Sequence, residues 1–194
     1  MASDDIWILG IHMTKFGKHP DKDTVDLGAE AAMAALADGG VTMRDVGVLA
    51  AGNLIGGPGF GQQLQKQIGQ TGIPVYNVTN ACATGATALR TAIMAIKAGE
   101  CDVGLAVGVE KLAGAGLLAG GTRGKDSDTW EPSGRYGAVA PVDGRIGTET
   151  MPGVFAQVGM EYGHRYGGAT FELFARISEK NHEHATLNPL AAYT

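Results

Sequence analysis

Along the first half of the chain, short solid apolar runs alternate with longer stretches whose apolar residues recur at helical spacing. Ile6 to Met13 is rich in Ile and closes in a polar stretch through Lys22, which predicts a first strand. Asp23 or Thr24 can cap a helix running to about Ala37. Its positions Val25, Leu27, Ala32 and Leu36 suit one face, and Gly39-Gly40 ends it. Val46 to Ala51 predicts a second strand that empties into a glycine-rich segment, Gly52 to Gly61, and then a short polar helix from Gln62 to Ile68. Pro74 to Thr79 is the third predicted strand, Ala83 to Ala98 a helix, and Asp102 to Val109 a fourth, almost wholly apolar strand. This alternation predicts an α/β fold with a mostly parallel sheet covered on both faces. After Lys111 the texture changes. Leu112 to Ile146 is rich in Gly, Ala and polar residues and reads as a long inserted loop region. Met151 to Tyr166 and Thr170 to about His184 resume helical spacing. No strand pattern returns, so the sheet begun at Ile6 reads as unfinished, with an apolar face that needs a cover.

The helix from Ala83 is apolar around most of its circumference, through Ala86, Ala88, Leu89, Ala92, Ile93 and Ile96. Only Arg90 and Lys97 carry charge. Such a helix is predicted to be buried between two layers. Cys82 sits where the preceding strand turns into it, beside the first free backbone N–H groups, where a helix terminus favours negative charge. That is a setting for a cysteine nucleophile. The alternative is a buried cysteine that is merely a small inert hydrophobe.

Composition narrows the field. A hydrophobic fraction of 44% supports a substantial core, and 31 glycines point to tight turns and close backbone packing. The net charge of −5 argues against general nucleic-acid binding. Two cysteines, Cys82 and Cys101, without a C-x-x-C pair fit a reducing compartment. An acidic amino terminus without a signal pattern, and no long apolar run, give a cytoplasmic reading with no membrane span. The segment Gly52 to Gly61 matches neither G-x-G-x-x-G in register nor a P-loop, so a structural or subunit-contact loop is the reading there. His182 and His184, two apart on a helix, point away from each other, so no metal site is expected.

The run Asn77-Val78-Thr79-Asn80-Ala81-Cys82-Ala83-Thr84-Gly85-Ala86-Thr87-Ala88-Leu89 resembles the nucleophile segment of the thiolase superfamily, most of all the sterol-carrier-protein-type thiolases and their bacterial relatives. Gly10 to Phe16, Thr71 to Val75, Leu105 to Lys111 and Phe174 to His182 resemble further segments of that family in the same order. The resemblance implies a thiolase-like fold: two similar β-α-β halves in layers, of which this chain carries the amino-terminal one with its inserted loop domain. The expected division is 1–112 for the core half, 113–169 for the loop domain, and 170–194 for a return helix and tail.

By the same resemblance, Cys82 takes an acyl group from acyl-CoA as a thioester and passes it on. The reaction is cleavage of a 3-ketoacyl-CoA by CoA, or the reverse Claisen condensation, with coenzyme A as substrate and no cofactor. Arg123, Lys125, Arg135 and Arg145 are candidates to meet CoA phosphates, with solvated loop charges as the alternative. Met151, Val154 and Phe155 fall where the family places part of its acyl pocket, with a core role as the alternative. The family draws its activating His and oxyanion groups largely from the carboxyl-terminal half, and no His here matches that role by motif. The chain is therefore expected to be a cut or split thiolase, a subunit completed by another chain, or an incomplete sequence. A homo-oligomer, dimer or tetramer, is expected, with Pro74 to Thr79 at a dimer axis, together with a carboxyl-terminal half or accessory subunit. Two other readings stand beside acyl transfer: a steroid side-chain aldolase homologue, and a non-catalytic lipid- or CoA-binding scaffold.

Overall fold

The computed structural model describes residues 5–112, 133–134, 137–138 and 151–193, and for 133–134, 137–138 and 151–154 the backbone alone. The chain divides into two compact units, Met1–Lys111 with Asn188–Thr194, and Leu112–Leu187. In the first unit the order is α1 (Thr24–Asp38), β1 (Val48–Gly52), α2 (Phe60–Ile68), β2 (Val75–Val78), α3 (Thr84–Lys97) and β3 (Gly104–Gly108). The second holds β4 (Ser133–Gly134) and β5 (Gly137–Ala138), paired antiparallel, then α4 (Met151–Tyr166) and α5 (Phe171–Ala185).

The sheet of the first unit is parallel, in the order β2-β1-β3, with Leu49 opposite Val75 and Leu105, and Gly52 opposite Val78 and Gly108. Alternation along the strands assigns its two faces different jobs. Leu49, Ala51, Leu105 and Val107 point to one face and pack with Ala32 and Leu36 of α1 and Phe60, Leu64 and Ile68 of α2. Ala50 and Ala106 point to the other, where the small side chains Ala88 and Ala92 of α3 pack, with Val78 beside them. Leu49 and Leu64 are fully buried, each stabilising the fold by about 1.5–3 kcal/mol of side-chain burial. The predicted parallel sheet with helices on both faces is thus the observed one.

Helix α1 starts where the sequence places it. Asp23 and Asp26 form a reciprocal capping box: the Asp26 N–H donates to Asp23 Oδ1 at 2.8 Å, and the Asp23 N–H to Asp26 Oδ2 at 3.0 Å. A hydrogen bond from Gln67 Nε2 on α2, then the Asp23 N–H, hold the Asp26 carboxyl below the usual carboxylate range. A carboxyl whose folded-state pKa is lowered adds stability above its unfolded value, about pH 3.9, and loses it as pH falls through the folded one. The melting temperature is therefore expected to drop on acidification below about pH 4, and Asp26→Asn to flatten that limb. Parallel melting curves of the two proteins would show it; equal acid limbs would refute the linkage.

Two expectations are corrected. Ile6 to Met13 forms no strand. Its Trp7, Ile8 and Ile11 are exposed, and its attachments are point contacts: Ile11 N–H to Asp38 Oδ2 at 2.9 Å, and Gly10 nested against the end of α1. β-propensity makes a strand only where a neighbour completes the hydrogen-bond ladder, and among the described residues this segment has none. Nor is α3 buried all round. Thr84, Ala88, Ala92 and Ala95 are buried, whereas Leu89 and Met94 on the outward side are about half exposed, at 44% and 52%. One sheet covers one side of a helix; a second layer would be needed for the rest.

Candidate active site

The C-terminal ends of parallel strands are where open α/β sheets build their sites, at the point where the connections leave in opposite directions. Here β1 leads to β2 through α2 on one face, and β2 leads to β3 through α3 on the other, so the carboxyl ends of neighbouring strands open to opposite faces. The strand ends there are Gly52 and Gly108, facing each other in register. The start of α3 lies directly over them. A Cβ built on Gly52 would stand 2.9 Å from Thr84 Cγ2 and 3.0 Å from the Thr84 carbonyl, and one on Gly108 would stand 2.7 Å from Gly85 Cα. Two glycines thus make a flat seat for the helix terminus.

Cys82 lies in the turn between β2 and α3 and is exposed. The residue before it, Ala81, has φ +46°, in the left-handed region that a residue with a Cβ enters at a cost of about 1–2 kcal/mol. Strain of that kind persists only where surroundings hold it. What holds it is a small polar network. The Asn80 N–H donates to Thr84 Oγ1 at 2.8 Å, and that hydroxyl donates to the Ala81 carbonyl at 2.7 Å. Asn80 Nδ2 donates to Thr87 Oγ1 at 3.1 Å, whose hydroxyl donates to the Ala83 carbonyl at 3.0 Å. Thr84 is buried. The N-cap, Ala83, offers no side-chain acceptor, and the first turn of α3 holds no acidic residue. The Ala83 and Thr84 N–H groups donate to the Asn80 and Ala81 carbonyls at 2.9 and 3.2 Å, so it is the Gly85 and Ala86 N–H groups, without a side-chain cap, that keep their capacity for an anionic ligand or a developing negative charge.

The two cysteines differ. Burial pushes the Cys101 thiol up, and Glu100 and Asp102 beside it push the same way. Cys101 is only half-exposed, and its Cβ lies 2.5 Å from where a Cβ on Gly47 would stand. Cys82 combines exposure with a helix terminus; Cys101 has neither.

Of the other candidates from the sequence, Arg123, Lys125, Arg135 and Arg145 lie outside the described residues. Met151 and Val154 belong to the first turn of α4, and Phe155 in the same helix is 65% exposed. Asn80, Thr84 and Thr87, which hold the elbow, were not singled out from the sequence. For Thr84 and Thr87 the signal was there, in hydroxyls three apart at the start of a mostly apolar helix, within reach of the backbone carbonyls one turn back.

The thiolase N-terminal domain family matches residues 6–125, more than half of the chain. The chain belongs to the thiolase family. The match takes in every element of the first unit from α1 to β3, including the Cys82 elbow. The fold is accordingly that of an amino-terminal thiolase half. Sterol carrier protein 2 of Gallus gallus is 36% identical over 97% of this chain and 34% of its own length. An acetyl-CoA acetyltransferase of Methanothermobacter thermautotrophicus is 31% identical over 97% of this chain and 47% of its own. Among solved structures, 3-oxoacyl-[acyl-carrier-protein] synthase III from Aquifex aeolicus VF5 aligns with a TM-score of 0.37 at 19% identity, over 42% of this chain and 27% of that one. The chain thus spans between a third and a half of the curated relatives it matches. Among the described residues no helix is long and apolar enough to cross a membrane.

Proposed function

We propose that this thiolase chain takes part in acyl transfer to or from coenzyme A through a thioester on Cys82. The observation that carries the reading is the elbow itself: an exposed cysteine, preceded by a strained Ala81, set before an uncapped helix terminus at the rim of a parallel sheet. A thiolate attacks the acyl-CoA carbonyl, the C–S bond to CoA breaks, and CoA leaves as its thiol after gaining a proton. In the second half-reaction CoA, or a carbanion derived from a second acyl-CoA, takes the acyl group from sulfur. The Gly85 and Ala86 N–H groups at the start of α3 supply a fixed positive end for charge developing at the site. The base that takes and returns protons is assigned to the carboxyl-terminal part that full-length thiolases carry, whether on the same polypeptide or on a partner. Coenzyme A enters as substrate, and the acting species is an oligomer of the completed protein.

Incubating the full-length or reassembled protein with acetyl-CoA is expected to give an acetyl adduct on the Cys82 peptide and none on Cys101. An unmodified Cys82 under turnover conditions would overturn the reading. A second reading has support from one observation: several relatives at this level of similarity are named sterol carrier or non-specific lipid-transfer proteins. On that reading the chain belongs to a thiolase-like subunit that binds lipid or CoA without forming the adduct. Binding of acyl-CoA with Cys82 left unmodified is its signature.

A further inference from the structure

Between the ends of the same strands lies a second polar array, distinct from the one that holds the elbow. Beyond β1 the ladders to β3 and to β2 each run on for one more bond, with the Val109 N–H donating to the Gly52 carbonyl at 3.0 Å and the Asn53 N–H donating to the Val78 carbonyl at 3.3 Å. Asn53 then turns its side chain across the gap. Its Nδ2 donates to the Val109 carbonyl at 2.7 Å and to Glu110 Oε1 at 3.3 Å. The other carboxylate oxygen, Glu110 Oε2, accepts the Leu54 N–H at 2.8 Å, and Asn53 Oδ1 accepts the Gly56 N–H. A Cβ on Gly56 would meet the Asn53 side-chain oxygen, so a larger residue there would displace the Asn53 side chain. Glu110 is half-buried, which makes these charge-assisted bonds stronger than their exposed counterparts.

We infer that Glu110 is a positioning residue for the thioester chemistry: through Asn53 it fixes the Leu54–Gly57 turn at the rim that carries the Cys82 elbow. This rests on the acyl-transfer reading for its consequence, but the lock itself is visible without it. The turn and the elbow share one support, because Gly52, directly before Asn53, is the residue on which Thr84 sits. The lock leaves the apolar side chains of Leu54 and Ile55 about half exposed, at 51% and 55%, on a turn whose Leu54 and Gly56 N–H groups are tied down. Apolar groups held out at a site rim are suited to the uncharged part of an acyl-CoA, and holding them beforehand removes an ordering cost from binding.

The test is made on the full-length protein with acetyl-CoA as probe, comparing Glu110→Ala and Glu110→Gln with the parent. Hydrogen exchange over residues 54–57 reads the lock directly. The Ala variant is expected to exchange there about tenfold faster, and the Gln variant to stay near the parent, since its amide oxygen still accepts the Leu54 N–H while Asn53 keeps the Val109 carbonyl. In turnover the Ala variant is expected to raise KM for acetyl-CoA about tenfold with kcat within about threefold, and the Gln variant to recover most of it. Unchanged exchange at 54–57 in the Ala variant overturns the lock. Faster exchange with KM unchanged overturns its role in binding. Equal loss of kcat and melting temperature in both variants overturns positioning in favour of bulk stability. A parent protein that forms no acyl adduct overturns the acyl-transfer reading instead, and the exchange measurement still reads the lock.

Discussion

Replacing Cys82 with alanine is expected to lower acyl transfer by on the order of 10⁴-fold, with the melting temperature within a few degrees of the parent. The magnitude follows from the role. A covalent nucleophile cannot be replaced by its neighbours, so its removal leaves only whatever rate binding and charge stabilisation supply. The fold should tolerate the change because Cys82 is exposed and packs into neither core cluster. The tie between Asn80, Thr84 and Ala81 that holds the strained residue does not pass through the sulfur. Cys101→Ala supplies the contrast. That thiol is partly buried and lies against Gly47, so its loss should register in stability and leave acyl transfer unchanged. Steady-state assays on both variants with the completed protein decide the matter. If Cys101→Ala abolished turnover while Cys82→Ala retained it, the site would have to be relocated.

Gly108→Ala is expected to have the second largest effect, and it acts at a distance from the sulfur. The added methyl would stand 2.7 Å from Gly85 Cα, a backbone atom, so no side-chain rotation can relieve it. Either α3 lifts off the sheet at its start or β3 moves away from β1. Overpacking of this kind costs about 1–3 kcal/mol. Lifting α3 also moves the helix terminus relative to Cys82 and pulls Thr84 from its seat on Gly52, which a displacement of about 1 Å converts into roughly a 10²-fold loss of rate. Gly17→Ala is the control, since a Cβ there meets nothing within 4 Å. The alkylation rate of Cys82, measured beside the melting curve, separates a displaced elbow from a protein that is only less stable. An unaltered alkylation rate and kcat in Gly108→Ala would show that the glycine seat does not govern the elbow.

Both variants bear on what could be read beforehand. Cys82 was legible because its signal is local: a strand run, an abrupt turn and a helix of small residues put the sulfur at a helix start whatever surrounds it. The same holds for α1, where Asp23, Asp26 and Gly39-Gly40 mark both ends, and for α5, where Thr170 caps the start and accepts the Leu173 N–H at 3.2 Å. These features rest on backbone groups a few residues apart, so nearest-neighbour chemistry suffices to specify them. The parallel sheet was legible one level up, since apolar runs joined by helices leave few other ways to bury both.

Other features were decided only in three dimensions. Ile6 to Met13 has the composition of a strand and forms none, because a strand is completed by a neighbour's hydrogen bonds and not by its own residues. The apolar circumference of α3 predicted burial on every side, yet a helix is buried only as far as there are layers to cover it, and Leu89 and Met94 stay half-exposed. The glycine seat and the Glu110 lock join residues 23 to 57 positions apart, from Gly85 with Gly108 to Asn53 with Glu110. By itself the sequence determined the helices α1 to α5 and the three parallel strands, which cysteine stands at a helix start, and to which family the chain is similar. Only the tertiary structure decided which faces are covered, what the elbow rests on, and which carboxylate holds its rim. Those depend on register between strands far apart in the chain, which no local pattern encodes.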